Sequence, residues 1–290
     1  MIPRRVSVVL AAIIVLLAAD VMMENVGAHA IVDAPNRHVA APIATVPGEQ
    51  RLAVGPPAAT LSVTVAQPRL PPRATIFLLH GIRDTKEHVR HWADHLTEAG
   101  FRTVLVDSRG HGRSTGDWLT YGVLESRDLS QLLDGLHVDG PVGVMGVSYG
   151  GATAIEWAAR EPRVKAAVAV APFASLRDIV PIYTPRMVPI VGWLMPHWVM
   201  MRTVDHAGSI GSFDPDQASP KAAARATRTP ILLVHGRNDT TVPYEQSEKI
   251  LDGARDHVTL VPLQGQDHDR IAGDPRLWPL VLEFFGRTFQ

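Results

Sequence analysis

A chain of 290 residues, 46% hydrophobic and 20% charged, has the length and composition of one large globular domain, which excludes fibrous and disordered classes. Its formal net charge of -1 comes without a strongly basic block beyond the first residues, so the electrostatic footprint of nucleic-acid binding is missing. With no cysteine, disulfide scaffolds, thiol nucleophiles and thiolate metal sites are excluded as well.

Arg4 and Arg5 precede an apolar run, Val6 to Ala19, broken only by Ser7, and Ala28-His29-Ala30 has the small-x-small form of a cleavage site. Residues 1–30 are therefore expected to be an export signal. If the run continues across Asp20 into Val21, Met22 and Met23, they form an uncleaved membrane anchor instead, and a buried structural helix is the third reading. The first two imply a periplasmic, secreted or membrane-anchored protein, with membrane association through the N-terminus. Residues 31–58, rich in Ala and Pro and without periodicity, are expected to be a linker.

From residue 59 to 290 a single domain is expected. Strand candidates are Leu61–Ala66, then 74–80, 103–107, 141–147, 164–171, 230–235 and 257–263, most of them apolar throughout, as strands covered on both faces must be. Helical patterns at 85–99, 121–136, 149–160, 244–253 and 275–285 alternate with them. The alternation predicts an α/β fold with a mostly parallel twisted sheet, helices on both faces and ligands beyond the carboxyl ends of the strands. Between about 173 and 228 no strand pattern occurs. Pro181, Pro185, Pro189, Pro196, Arg186 and His197 interrupt its apolar background, which rules out a membrane span and predicts an inserted helical cap.

Two serines fit G-x-S-x-G: Ser114 in "DSRGHGRSTGD" and Ser148 in "VGVMGVSYGGATAI". A nucleophile elbow requires the serine to follow a buried strand at once and to open a helix. Ser148 meets both conditions. Ser114 meets neither, because a polar Gly-rich loop separates it from its strand. A base and an orienting carboxylate should lie on later post-strand loops, which selects Asp239 after "PILLVH" and His268 after "HVTLVPL". The backbone N–H of Tyr149, just after the nucleophile, is the first expected oxyanion donor.

The segments "LLHGIRDTKEH", "VDSRGHGRSTG", "GVSYGGATA", "ILLVHGRNDTTVP" and "GQDHD" together resemble the α/β-hydrolases from about residue 60 onward, nearest the prolyl-aminopeptidase-like and lysophospholipase-like serine hydrolases. The resemblance implies an α/β-hydrolase fold and places the second oxyanion donor at the Ile82 backbone N–H, after His80-Gly81. It identifies the Ser114 loop as structural, and it leaves Asp178 as an alternative acid, since some members carry theirs after the preceding strand. Dehalogenase and epoxide hydrolase relatives use an aspartate at the elbow, where this chain has Ser148.

No phosphate or dinucleotide fingerprint occurs, so no cofactor is expected. His88, His91 and His95 share one helix face, which reads as a solvated face rather than a metal site, and His80 reads as a loop histidine holding backbone groups. The cap's Trp193, Leu194, Met195, Trp198, Met200 and Met201 are expected to form its core or to line an apolar acyl pocket. The chain is thus expected to be a serine hydrolase that cleaves small-molecule esters with a hydrophobic acyl group. The alternatives are a serine peptidase using an acidic cap residue among Asp205, Asp214 and Asp216, and a non-catalytic binding protein on the same fold.

Overall fold

The computed structural model describes residues 20–37 and 48–290. Residues 20–32 are helical (α1). Eight strands then form one sheet: β1 Glu49–Val54, β2 Ala59–Ala66, β3 Thr75–Leu79, β4 Arg102–Val106, β5 Val142–Val147, β6 Val164–Val170, β7 Ile231–Gly236 and β8 Val258–Leu263. Their order is β1-β2-β4-β3-β5-β6-β7-β8, with β1 and β2 antiparallel to their neighbours and every later pairing parallel.

The strands expected from continuous apolar runs lie within about two residues of their predicted limits. The reason is burial on both faces. Along β3, Phe77 and Leu79 enter one apolar cluster with Leu129, Ile155 and Trp157, while Ile76 and Leu78 enter another with Trp92, Leu96, Val281 and Phe285. The first cluster is closed by α3 (Val123–Gly135) and α4 (Tyr149–Arg160), the second by α2 (Arg90–Glu98) and a C-terminal helix at Leu277–Thr288. Phe77 meets Trp157 edge-on at 5.0 Å, and burying either ring contributes roughly 1.5–3 kcal/mol.

Two boundaries differ for local reasons. Helix α2 starts at Arg90 rather than residue 85, because the Lys86 N–H is committed to Asp107 Oδ1 at 2.7 Å and its ammonium to Asp107 Oδ2 at 2.5 Å, which holds residues 85–89 in turns. Strand β1 lies inside the expected linker and extends the sheet at its edge.

Residues 31–37, also expected in the linker, pack against the body. Leu119 N–H donates to the Val32 carbonyl at 2.8 Å, Ala34 N–H to the Asp117 carbonyl at 3.0 Å, and the Asn36 amide to the Gly112 carbonyl at 2.6 Å. These are mostly backbone contacts, which leave no apolar period in the sequence.

The cap is built as expected from short helices: α5 Leu176–Met187, α6 Pro189–Leu194, α7 His197–Gly211 and α8 Pro220–Ala226. Pro189 occupies the first turn of α6 and Pro196 the N-cap of α7, positions that need no donor N–H, so these prolines delimit the helices. The remaining helices of the body are α9 Glu245–Leu251 and α10 Leu277–Thr288. Helix α1 joins the cap, with Ala28 and Val32 fully buried against Ala207 of α7. Arg4, Arg5 and Val6 to Ala19 lie outside the described residues. No helix among the described residues is long and apolar enough to cross a membrane.

Candidate active site

The chain order of the sheet reverses between β3 and β5, the place where open α/β sheets form a crevice at their carboxyl ends. Ser148 follows β5 directly and precedes the first residue of α4. Its backbone is held at φ 53° and ψ -114°, a strained conformation for a side-chain-bearing residue. The turn closes only because its flanks are glycine. A Cβ on Gly146 would sit 2.2 Å from the Gly150 carbonyl oxygen, and one on Gly150 would sit 2.5 Å from the carbonyl oxygens of Leu79 and His80.

The three side chains expected from separate loops meet here. Ser148 Oγ lies 3.0 Å from His268 Nε2, and His268 Nδ1 lies 2.7 Å from Asp239 Oδ2. Asp239 Oδ1 accepts the Thr241 and Val242 N–H groups at 2.9 and 2.8 Å. Burial alone would raise its carboxyl, but hydrogen bonds from His235, His268 and the Val242 N–H outweigh it and hold the group well below the ordinary carboxylate range. An ionised Asp239 accepts only, which puts the His268 proton on Nδ1 and leaves Nε2 as an acceptor facing the Ser148 hydroxyl.

His235 is a contributor that the sequence pattern did not single out. Fully buried at the end of β7, its Nε2 lies 3.2 Å from Asp239 Oδ2 and 2.8 Å from the Val242 carbonyl, while Ser247 Oγ donates to its Nδ1 at 2.7 Å. It therefore holds the same carboxylate oxygen that His268 bonds. The only hint in the sequence is a histidine four residues before the acid at a strand end.

Tyr149 opens α4, and the first N–H groups of a helix have no intrahelical acceptor. Its phenol donates to Glu125 at 2.7 Å, which fixes this side of the elbow. On the other side Gly81 faces the serine, since a Cβ there would come 3.9 Å from Ser148 Cβ, and Ile82 follows it. His80 holds this loop: Nδ1 donates to the Gly81 carbonyl at 2.7 Å, and Nε2 accepts the Ser108 N–H at 3.1 Å. Burial, with His111 alongside, lowers its pKa to about 3, so it stays neutral in that bracket.

The other candidates are engaged elsewhere. Ser114 Oγ donates to the Asp107 carbonyl at 2.6 Å and accepts the Ser62 N–H at 2.9 Å, a bracket between loop and sheet. Asp178 receives Lys221 at 2.5 Å, Lys249 at 2.7 Å and the Ser175 hydroxyl. His88 lies beside Asp84, His91 against the Ala272 carbonyl and His95 on the Trp278 ring, so the three imidazoles do not converge. Among the described residues no group of three or more His, Asp or Glu is placed to hold a metal ion.

Over the site the cap brings Leu176, Ile179 and Val180 into one apolar cluster with Tyr149, Phe173 and Val242, and Ile82, Tyr183 and Met201 pack on it. Arg186 of α5 donates to the Thr241 carbonyl at 2.7 Å and straps the cap to the loop carrying Asp239. Trp193, Leu194 and Trp198, expected in the cap core or an acyl pocket, instead face solvent. Each lies on a helix whose other face is packed, with Gly192 of α6 and Val199 and Met200 of α7 buried.

A family model described as serine aminopeptidase, S33, matches residues 70–219, and a second, described as TAP-like protein, matches residues 209–286. The chain belongs to the serine aminopeptidase S33 family of α/β-hydrolases. Among curated proteins it is 26% identical over 242 residues to a monoacylglycerol lipase of Mycolicibacterium smegmatis, covering 70% of this chain and 83% of that one. It is 24% identical over 201 residues to the uncharacterized protein YqkD of Bacillus subtilis, covering 67% of this chain but 64% of that protein. It matches 24% of the length of an abhydrolase domain-containing protein of Dictyostelium discoideum. In structure it is similar to an esterase of Pyrococcus furiosus, with a TM-score of 0.66, 22% identity, and coverage of 83% of this chain and 92% of that one. At that identity the likeness extends to the α/β-hydrolase fold alone.

Proposed function

We propose that this α/β-hydrolase cleaves carboxylic esters with an apolar acyl group through an acyl-enzyme on Ser148. The observation that carries the reading is the Ser148–His268–Asp239 relay, at 3.0 and 2.7 Å, on a strained strand-to-helix turn. His268 Nε2 takes the Ser148 proton as Oγ attacks the ester carbonyl, and the Tyr149 and Ile82 N–H groups receive the developing oxyanion. Imidazolium then protonates the leaving alcohol. A water, deprotonated by the same Nε2, releases the carboxylic acid.

The apolar cluster of Ile82, Tyr149, Ile179 and Val242 around this site favours an alkyl or aryl acyl group, and the monoacylglycerol lipase relative points the same way. An aminopeptidase needs an ionised cap carboxylate free to receive the substrate amine. Asp205 and Asp216 share Arg177, at 2.7 and 2.5 Å, and Asp214 Oδ1 accepts the Asp216 N–H. The ester reading therefore rests on the apolar cluster and not on these carboxylates.

The test is labelling by a fluorophosphonate probe, wild type beside Ser148→Ala, followed by p-nitrophenyl esters of increasing acyl length. Labelling of wild type alone, with turnover rising beyond acetate, is the expected result. A folded wild type that neither labels nor turns over any ester would overturn the reading.

A further inference from the structure

We propose that the outer surface of the cap, formed by α6, the first turn of α7 and the outer face of α1, docks on a lipid bilayer. Ile190, Trp193 and Leu194 of α6 are about four-fifths exposed, at 79%, 80% and 79%, and Trp198 of α7 is 62% exposed. Val21, Met22 and Val26 of α1 are exposed too. One such side chain on a surface needs no explanation, but a group of them concentrated on one end of a cap marks an interaction surface.

The two halves of this surface are joined by Arg202. It lies one turn after Trp198 on α7, its guanidinium 5.3 Å from that indole ring, and it binds Asp20 and Glu24 of α1, each at 2.6 Å. The opposite face of α1 is fixed, with Ala28 and Val32 buried against Ala207 and no room for a side chain at Gly27, where a Cβ would meet Thr203 Cγ2 at 2.9 Å. The exposed apolar residues of α1 are therefore held beside those of the cap.

The sequence that precedes the described residues identifies the occupant. Val6 to Ala19, apolar apart from Ser7, joins the cap at Asp20, on the rim of this surface, and a segment of that composition partitions into hydrocarbon. Asp20, the one charge between that run and Val21–Met23, is met by Arg202. A bilayer that takes up the leading run would lie against α1 and the cap together. Trp193 and Trp198 are of the residue type that favours the membrane–water interface. Arg202 is paired with two carboxylates, which leaves Arg186, hydrogen-bonded to the Thr241 carbonyl, as a single charge beside the patch, so the surface is apolar rather than polybasic and fits zwitterionic lipid. A second copy of the chain is a poorer match. Within Ile190–Leu194 only the Trp193 indole can hydrogen-bond, which leaves little to set the register of a self-complementary interface.

The proposal stands independently of the ester reading, and its test measures no hydrolysis. The full chain is transferred from detergent to phosphatidylcholine vesicles with brominated acyl chains, and tryptophan quenching is read for wild type and for Trp193→Phe/Trp198→Phe. Wild type is expected to be quenched and the double variant to lose most of that quenching, since Trp92 and Trp157 are fully buried and the half-buried Trp118 and Trp278 are covered by Arg37 and His95. Ile190→Ser/Trp193→Ser/Leu194→Ser should lower the vesicle partition coefficient on the order of 100-fold, with little response to added anionic lipid. An unchanged melting temperature and far-UV circular dichroism spectrum serve as fold controls for each variant. Quenching that is absent, or equal in the double variant, would overturn the proposal even if the protein floats with vesicles, because the leading segment alone would then hold it. A cap-dependent dimer in sedimentation, without quenching, would overturn it in favour of a second copy.

Discussion

Asp239→Asn and Asp178→Asn separate the two carboxylates that the sequence left as alternatives for the acid. Asp239 accepts hydrogen bonds on both oxygens, from His268 and His235 on Oδ2 and from the Thr241 and Val242 N–H groups on Oδ1. An asparagine amide facing the backbone N–H groups would set donor against donor in a buried site. Facing His268, it donates to Nδ1, moves the imidazole proton to Nε2 and removes the acceptor that Ser148 needs. In Ser-His-Asp enzymes this wrong tautomer costs on the order of 10⁴ in kcat, about 5.4 kcal/mol at 1.36 kcal/mol per tenfold. Asp178 presents a different balance. Its partners Lys221 and Lys249 are 33% and 47% exposed, so each pair contributes about 0–1 kcal/mol, and that to stability rather than rate. Steady-state turnover of a p-nitrophenyl ester should therefore fall by about four decades in Asp239→Asn with KM little changed, and by less than about threefold in Asp178→Asn. Loss of turnover in a folded Asp178→Asn, with Asp239→Asn active, would refute the assignment of the acid.

Ser114→Ala should keep most of the activity, but it leaves the buried Ser62 N–H and Asp107 carbonyl without their partner, a cost of about 1–3 kcal/mol that thermal unfolding would detect. Gly146→Ala should give little folded protein, because its Cβ meets the backbone of Gly150, whereas Gly48→Ala, with open space at its Cβ position, should express normally despite its positive φ; soluble yield compares them. For Asp178, burial opposes ionisation, but the bonds from Lys221, Lys249 and Ser175 outweigh it and lower the pKa to about 2 from an ordinary 3.8. A depressed folded pKa means stability that is present above about pH 4 and lost as pH falls toward 2. The melting temperature of Asp178→Asn should therefore approach that of wild type at the acid end of this window and differ most above it.

What the sequence displayed of this fold follows from where its apolar residues had to go. Strands β3 to β7 are covered on both faces and read as mainly apolar runs, so the loops after β5 and β7 could be searched for Ser148 and Asp239, while His268 follows β8, a mainly apolar edge strand that is partly exposed. Strand β1 is an edge with a partner on one side only, and its Glu-Gln-Arg start carries the charges edge strands tolerate, so it resembled linker. Residues 31–37 escaped for another reason: they attach mainly through backbone hydrogen bonds, which leave no hydrophobic period, whereas a packed helix before them is one of the readings of residues 1–30. His235 read as the last residue of an apolar strand, and only the turn at Gly236 brings it back onto Asp239. The cap shows where composition misleads. Its tryptophans and leucine had the makeup of a core, yet a helix as short as Pro189–Leu194 packs one side on its neighbour, where Gly192 comes close to Pro185, and leaves Ile190, Trp193 and Leu194 outward. Hydrophobicity says that such residues must leave water, and the bilayer is where this arrangement of the chain would take them.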